Sequence, residues 1–386
     1  MHTPRVRFHA SPGTIRAGWF ERDFMQHTVV YREPGRYAGW PANYGIWSWG
    51  EEIVAAFTVG SHHPGGGFHT RDRTRPFTAV QARSLDGGRT WTSEPCRCAT
   101  PGGRGLSADE HVEPELKISS FLDAGERILP SPDPIDFTAP ELVWMVGRTG
   151  LAAGAISWFY TSLDRCRTWS GPFALGDLGL PGIAGRTDGI VDGPHQLTVF
   201  LTAAKSDGRE GRVFCARTED GGRSFQFRSW IGPEPEGYTI MPASLRLPNG
   251  DLLSTLRCRR RGPDINDGCW LDLYRSSDDG LSWSLVGRPA PSTGFGGNPA
   301  TLTRLPDDRL CLIYGYRDAP FGIRARLSSD SGETWSDEVL LRTDGGCHDL
   351  GYPRTTLLPD GTLVAVYYFN DSPESDRYIA STRWKP

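Results

Sequence analysis

Short apolar runs, cut by turn residues, repeat along the whole chain. Glu52-Ile-Val-Ala-Ala-Phe57, Glu141-Leu-Val-Trp-Met-Val146 and Gln196-Leu-Thr-Val-Phe200 are three of them. Asp251-Leu-Leu-Ser-Thr-Leu-Arg257, Arg309-Leu-Cys-Leu-Ile-Tyr314 and Thr362-Leu-Val-Ala-Val-Tyr-Tyr368 complete the set. Runs of this length, bounded by Gly, Pro, Asn or Asp, predict strands. Further strand-like runs follow at 79–83, 158–160, 213–215, 270–274 and 323–327, and others precede at 241–246, 298–304 and 352–357. Asn249-Gly250 and Asp360-Gly361 are hairpin signals between preceding and central runs, because both residue types tolerate positive φ. The segment Trp40-Pro-Ala-Asn43 reads as the corresponding first strand of the earliest group.

A second pattern closes each group. Ser84-Leu-Asp86-Gly-Gly88-Arg-Thr90-Trp91 returns as Ser162-Leu-Asp164-Arg-Cys166-Arg-Thr168-Trp169 and, more weakly, as Thr218-Glu-Asp220-Gly-Gly222-Arg-Ser224-Phe225. Ser276-Ser-Asp278-Asp-Gly280-Leu-Ser282-Trp283 and Ser328-Ser-Asp330-Ser-Gly332-Glu-Thr334-Trp335 follow. Their starts are 78, 56, 58 and 52 residues apart. Chemically this is a hairpin lock: Asp accepts backbone N–H groups across a tight turn, Gly supplies positive φ, and the aromatic packs between sheets. Regular recurrence at this period predicts a repeat fold. A sixth group ends at 378–382 without a box, so its outer strand is expected from His27-Thr-Val-Val-Tyr31 near the other end of the chain, which leaves no exposed sheet edge.

The five boxes resemble the BNR/Asp-box repeats of the sialidase superfamily, over residues 28–384. The resemblance implies an all-β, six-bladed β-propeller of four-stranded antiparallel blades, with any active site at the mouth of the axis. Residues 1–26 are then an N-terminal segment packing on the propeller, 27–386 the propeller itself, and the Pro/Gly-rich 95–140 an insertion or rim loop in blade two.

Composition narrows the function. Hydrophobic residues make up 38% of the 386, and a net charge of −4 gives no electrostatic footprint for nucleic acid or an anionic membrane surface. No secretory signal and no apolar stretch of about 20 residues is visible, so a cytoplasmic location is expected. The eight cysteines are scattered, several within apolar runs, and are expected as reduced buried thiols. Cys96-Arg-Cys98 is too closely spaced, and too isolated, for a zinc pair.

True sialidases combine an arginine triad for the substrate carboxylate, a Tyr nucleophile with a Glu partner, and an Asp acid/base. By position relative to the blade signatures the resemblance assigns Tyr352 as the nucleophile, Asp72 as the acid/base, and Arg257 and Arg317 as the second and third arginines. It departs at two places. Gly39-Trp40-Pro41 replaces the Arg-Ile-Pro that carries the first arginine, with Arg32 and Arg36 nearby, and Ser244 occupies the place expected for the partner Glu. Histidines offer other proton chemistry: His62, His63 and His69 share a loop with Asp72, and His348 precedes Tyr352. Their spacing matches no metal motif, so neither metal nor cofactor is expected. Trp40, Tyr44, Trp47 and Trp49 offer aromatic faces for a sugar ring, and Asn43 and Arg354 are candidate partners for hydroxyls or a carboxylate. The expected function is an exo-acting glycoside hydrolase on a glycan containing sialic or uronic acid. The alternatives are a lyase eliminating next to a uronate through His69 or His348 with Tyr352, and a non-catalytic propeller binding a glycan or a protein. Oligomeric state is left open.

Overall fold

The computed structural model describes residues 25–65, 67–98, 128–130, 132–260, 262 and 268–386. Six antiparallel sheets follow one another in chain order. Within a blade the chain runs from the innermost strand outward, as in Tyr238–Arg246, Leu252–Arg259, Cys269–Ser276 and Ser284–Ala290. The last sheet is ordered Met25–Tyr31, Tyr378–Trp384, Leu363–Phe369, Gly351–Leu357, so the first described strand is its outer edge. His27 pairs with Thr382 across this seam, and the ring closes as the sequence predicts. Blade two shows three described strands, Val143–Arg148, Ser157–Ser162 and Ser170–Ala174. Most of 95–140, and residues 1–24 of the N-terminal segment, lie outside the described residues.

The boxes lock the turns at one end of every blade that carries one. In the second copy Asp164 accepts hydrogen bonds from Arg167 N (3.0 Å), Thr168 N (2.8 Å) and Thr168 Oγ1 (2.6 Å), while Ser162 Oγ accepts from Cys166 N (2.9 Å). These donors hold the Asp164 carboxyl down to about 2, although partial burial opposes them. The weaker third copy makes the same turn, with Ser224 in the Thr place. Gly88 is required at φ 84°, and a Cβ there would meet Val364 of the sixth blade at 3.1 Å. The core is a set of sheet-to-sheet interfaces: Leu305, Ile313, Ile323 and Leu341 pack on Leu363, Ala365, Tyr367 and Phe369 of the neighbouring blade.

At the other end of the axis, three inner segments begin alike. Trp40 (φ 55°), Met241 (φ 52°) and Tyr352 (φ 54°) are all left-handed and all precede a proline. A bulky residue there is strained by about 1–3 kcal/mol, and proline further disfavours helical geometry in the residue before it. The pairing registers break at the latter two, between Ile240 and Ala243 and between Gly351 and Arg354. In blade one the break is complete. The expected strand 40–43 is instead a 3-10 turn, Pro41–Asn43, separating Arg36–Gly39 from Gly45–Trp49, since left-handed Trp40 followed by Pro41 cannot continue a ladder.

Candidate active site

The kinks turn Trp40, Met241 and Tyr352 into one buried cluster at the mouth. Arg257, near the end of its strand, reaches this cluster and donates from Nη1 to Tyr352 Oη (2.9 Å) and to Met241 Sδ (3.5 Å). Its Nη2 is fixed by Gly296 O (2.7 Å). Both Arg257 and Tyr352 are 7% exposed, so each keeps a small open face. It is therefore Met241, and not Ser244, that shares the Arg257 guanidinium and the buried cluster with Tyr352. Ser244 lies three residues further down the strand, against Asp188.

Beside Tyr352 stands a hydrogen-bonded group of rings around Asp349. Asp349 accepts from His69 Nδ1 (2.6 Å), Tyr368 Oη (3.0 Å), Tyr37 Oη (3.2 Å) and Arg377 Nε (3.0 Å). It is 1% exposed, and despite burial the His69 contact and the Arg377 and Arg317 guanidinium groups hold it far below the usual carboxylate range. An ionised Asp349 can only accept, so the proton of His69 sits on Nδ1 and Nε2 carries the lone pair. Burial, aided by Arg71 and Arg317, lowers the pKa of His69, and the ring is neutral at pH 7. Nε2 has no hydrogen-bond partner among the described residues. A neutral histidine oriented by a buried carboxylate, with its far nitrogen open, is built to take a proton.

Arg71 lies with its guanidinium over the Trp40 ring, 4.8 Å from the centroid. It makes no ion pair among the described residues. It thus brings a positive group close to where the missing first arginine would have stood, by way of the loop rather than the strand. Arg32 is spent on Asp371 (2.7 Å).

Several expected site residues have other partners. Arg317 is 1% exposed, lies over the Tyr352 ring (5.5 Å to the centroid) and donates to Leu350 O (3.0 Å), Gly297 O (3.0 Å) and Tyr368 Oη (2.6 Å), so it braces the mouth from within. Trp40 is fully buried against Tyr37, His69 and Tyr368 and offers no sugar platform. Asn43, 2% exposed, accepts from Arg186 Nε (3.1 Å). His348 donates to Phe68 O (3.1 Å) and is held between Phe68 and Phe295, a packing position. Asp72 closes a local turn with Thr74 and pairs with Arg75 at 3.3 Å. Hydrogen bonds from Thr74 lower its pKa, the wrong direction for a proton donor. Arg354 donates to Ala42 O (2.9 Å) and to Thr187 O, below the mouth. Among the described residues no cluster of three or more His, Cys, Asp or Glu could hold a metal ion.

The architecture and its mouth define a sialidase-type propeller scaffold. Residues 141–366 match the BNR repeat-like domain, and the chain belongs to that family, in the sialidase superfamily. No curated protein matches the sequence. Among solved structures the chain is similar to a protein of unknown function from Dyadobacter fermentans, at 22% identity and TM-score 0.65, covering 94% of this chain and 99% of that one. It is also similar to the Trypanosoma rangeli sialidase in complex with sialic acid (11%, TM-score 0.58, covering 93% and 58%). A third similar structure is the NanB sialidase of Streptococcus pneumoniae (10%, TM-score 0.59, covering 93% and 70%). At these identities the likeness is one of fold.

Proposed function

We propose that the protein is an enzyme that breaks the glycosidic linkage of an acidic sugar at the propeller mouth. The observation that carries this reading is a pair of groups flanking Tyr368: a neutral base, His69 oriented by Asp349, which also accepts from Tyr368 Oη (3.0 Å), and a phenol, Tyr352, packed on the Tyr368 ring (5.9 Å) and hydrogen-bonded to Arg257. Arg71 and Arg257 would receive the sugar carboxylate, and sialidases of the same fold, one of them in complex with sialic acid, support the substrate class.

Met241 bears on the reaction type. With a thioether where a carboxylate base would activate Tyr352, the phenol is a poor nucleophile and a serviceable proton donor. This favours elimination next to a uronate over hydrolysis through a tyrosyl intermediate. In that reaction His69 Nε2 removes the proton beside the carboxylate, the C–O bond to the leaving sugar breaks as a C=C bond forms, and Tyr352 protonates the departing oxygen. Incubation with a sialoside and with uronate-containing oligosaccharides tests both. Ultraviolet absorbance of an unsaturated uronate, lost in Tyr352→Phe and His69→Ala, indicates elimination, and a new reducing end without it indicates hydrolysis. Inactivity on all of them would overturn the enzymatic reading.

A further inference from the structure

A cavity of 330 Å³ occupies the axial channel between mid-depth and the Asp-box end, away from the mouth. Its depth follows from register. Ser244 pairs with Ser254 and Thr355 with Ala365, each two residues along its strand from the box-end pairs Leu252–Arg246 and Leu363–Leu357. None of His69, Tyr352 and Arg257 lines it.

A carboxyl and a guanidinium group share this space without joining. Asp188, 7% exposed, accepts from Ser244 Oγ (2.8 Å) and Ser244 N (3.3 Å). Arg354 acts electrostatically on Asp188, yet the two form no ion pair within bonding distance. The Arg354 Nη2 group is fixed by Ala42 O and Thr187 O, and its buried Nε has no partner. Buried guanidinium groups are ordinarily paired with a carboxylate, and Arg354, which lines the cavity, has none within bonding distance among the described residues. Around it, Thr301 and Thr355 present hydroxyls joined at 2.7 Å, and Trp47 and Trp144 present aromatic surface. The volume lies at the low end of the roughly 300–1,000 Å³ typical of small-molecule sites.

We propose that this cavity is a second binding site, for a small polyhydroxylated carboxylate of monosaccharide size. Its carboxylate meets Arg354, its hydroxyls meet Asp188, Thr301 and Thr355, and its C–H face packs on the tryptophans. The site stands independently of whatever chemistry the mouth performs.

Isothermal titration of the intact protein with glucuronate, and with glucose as the neutral control, tests this. Glucuronate should bind, and glucose about tenfold or more weaker, since one charge-assisted contact is lost. Arg354→Met should abolish the channel binding event and Asp188→Asn weaken it about tenfold, while Arg71→Met and Tyr352→Phe, which can affect only an event at the mouth, leave it unchanged. Asp188→Asn keeps the test available if Arg354→Met does not fold. Absence of glucuronate binding to the wild type, or binding that Arg71→Met or Tyr352→Phe removes and the two channel variants retain, overturns the proposal.

Discussion

Arg257 donates to the hydroxyl of Tyr352 at 2.9 Å, joining the end of a blade-four strand to the kinked start of the blade-six inner strand. Replacing Tyr352 with Phe removes the phenolic proton and keeps the ring in its packing. Loss of one proton-transfer group should lower kcat by roughly 10²–10⁴-fold. The lost hydrogen bond should reduce stability by only about 1–3 kcal/mol in urea unfolding. Comparable losses in both measurements would make Tyr352 a structural residue.

His69 supplies the second prediction. Its basic form is needed, and its pKa is lowered from the ordinary 6.5 by burial. The acid limb of kcat/KM should therefore lie below 6.5 and vanish in His69→Ala. Asp349→Asn should shift that limb and lower kcat with little change in KM, because it acts by positioning the ring. An acid limb at or above the ordinary histidine value would exclude His69 as the base.

Arg71 stacks on Trp40 without an anionic partner among the described residues. Arg71→Met should raise KM for an acidic substrate about tenfold, the size of one charge-assisted hydrogen bond, and leave kcat nearly intact. A fall in kcat with unchanged KM would remove Arg71 from carboxylate recognition.

Asp188 and Asp164 should pull stability in opposite directions with pH. Burial raises Asp188 to about 7, so between pH 3.8 and that value the folded chain keeps a proton the unfolded chain has released. Its contribution is complete below the unfolded value and is lost as pH rises through the window. Asp164, lowered to about 2, contributes above 3.8 and loses that contribution as pH falls. Urea midpoints across pH should show Asp188→Asn flattening the fall on the neutral side and Asp164→Ala flattening the acid side. If neither slope changes, the ionisations assigned to these carboxyls are wrong.

The blades were legible in the sequence because each box is a local device: Asp164 meets its donors within four residues. Ring closure could be read for a related reason, since the sixth group lacks an outer strand and a matching run exists at 27–31. The mouth was legible only as a list of chemical types. His69 and Asp349 are 280 residues apart, and nothing in the loop around either names the other. That Arg317 is held from within could not be read, because the partners that occupy it include two backbone carbonyls, which carry no residue signature. Asp349, beside His348 and three residues before Tyr352, carries no signal of its own, because a carboxylate there matches no expected role. Arg71 was hidden in Arg71-Asp72-Arg73, where alternating charges suggest local pairing.

The seam between the first and last described strands also governs how the ring is assembled. His27 Nδ1 and Thr382 Oγ1 meet at 2.9 Å although 355 residues separate them. During synthesis Met25–Tyr31 therefore emerges with its hydrogen-bonding edge bare, and its partner Tyr378–Trp384 follows only after all the intervening blades. The earlier blades can stack as they leave the ribosome, but the circle cannot shut until its final clasp has been made, leaving the early strand open to mispairing throughout that wait.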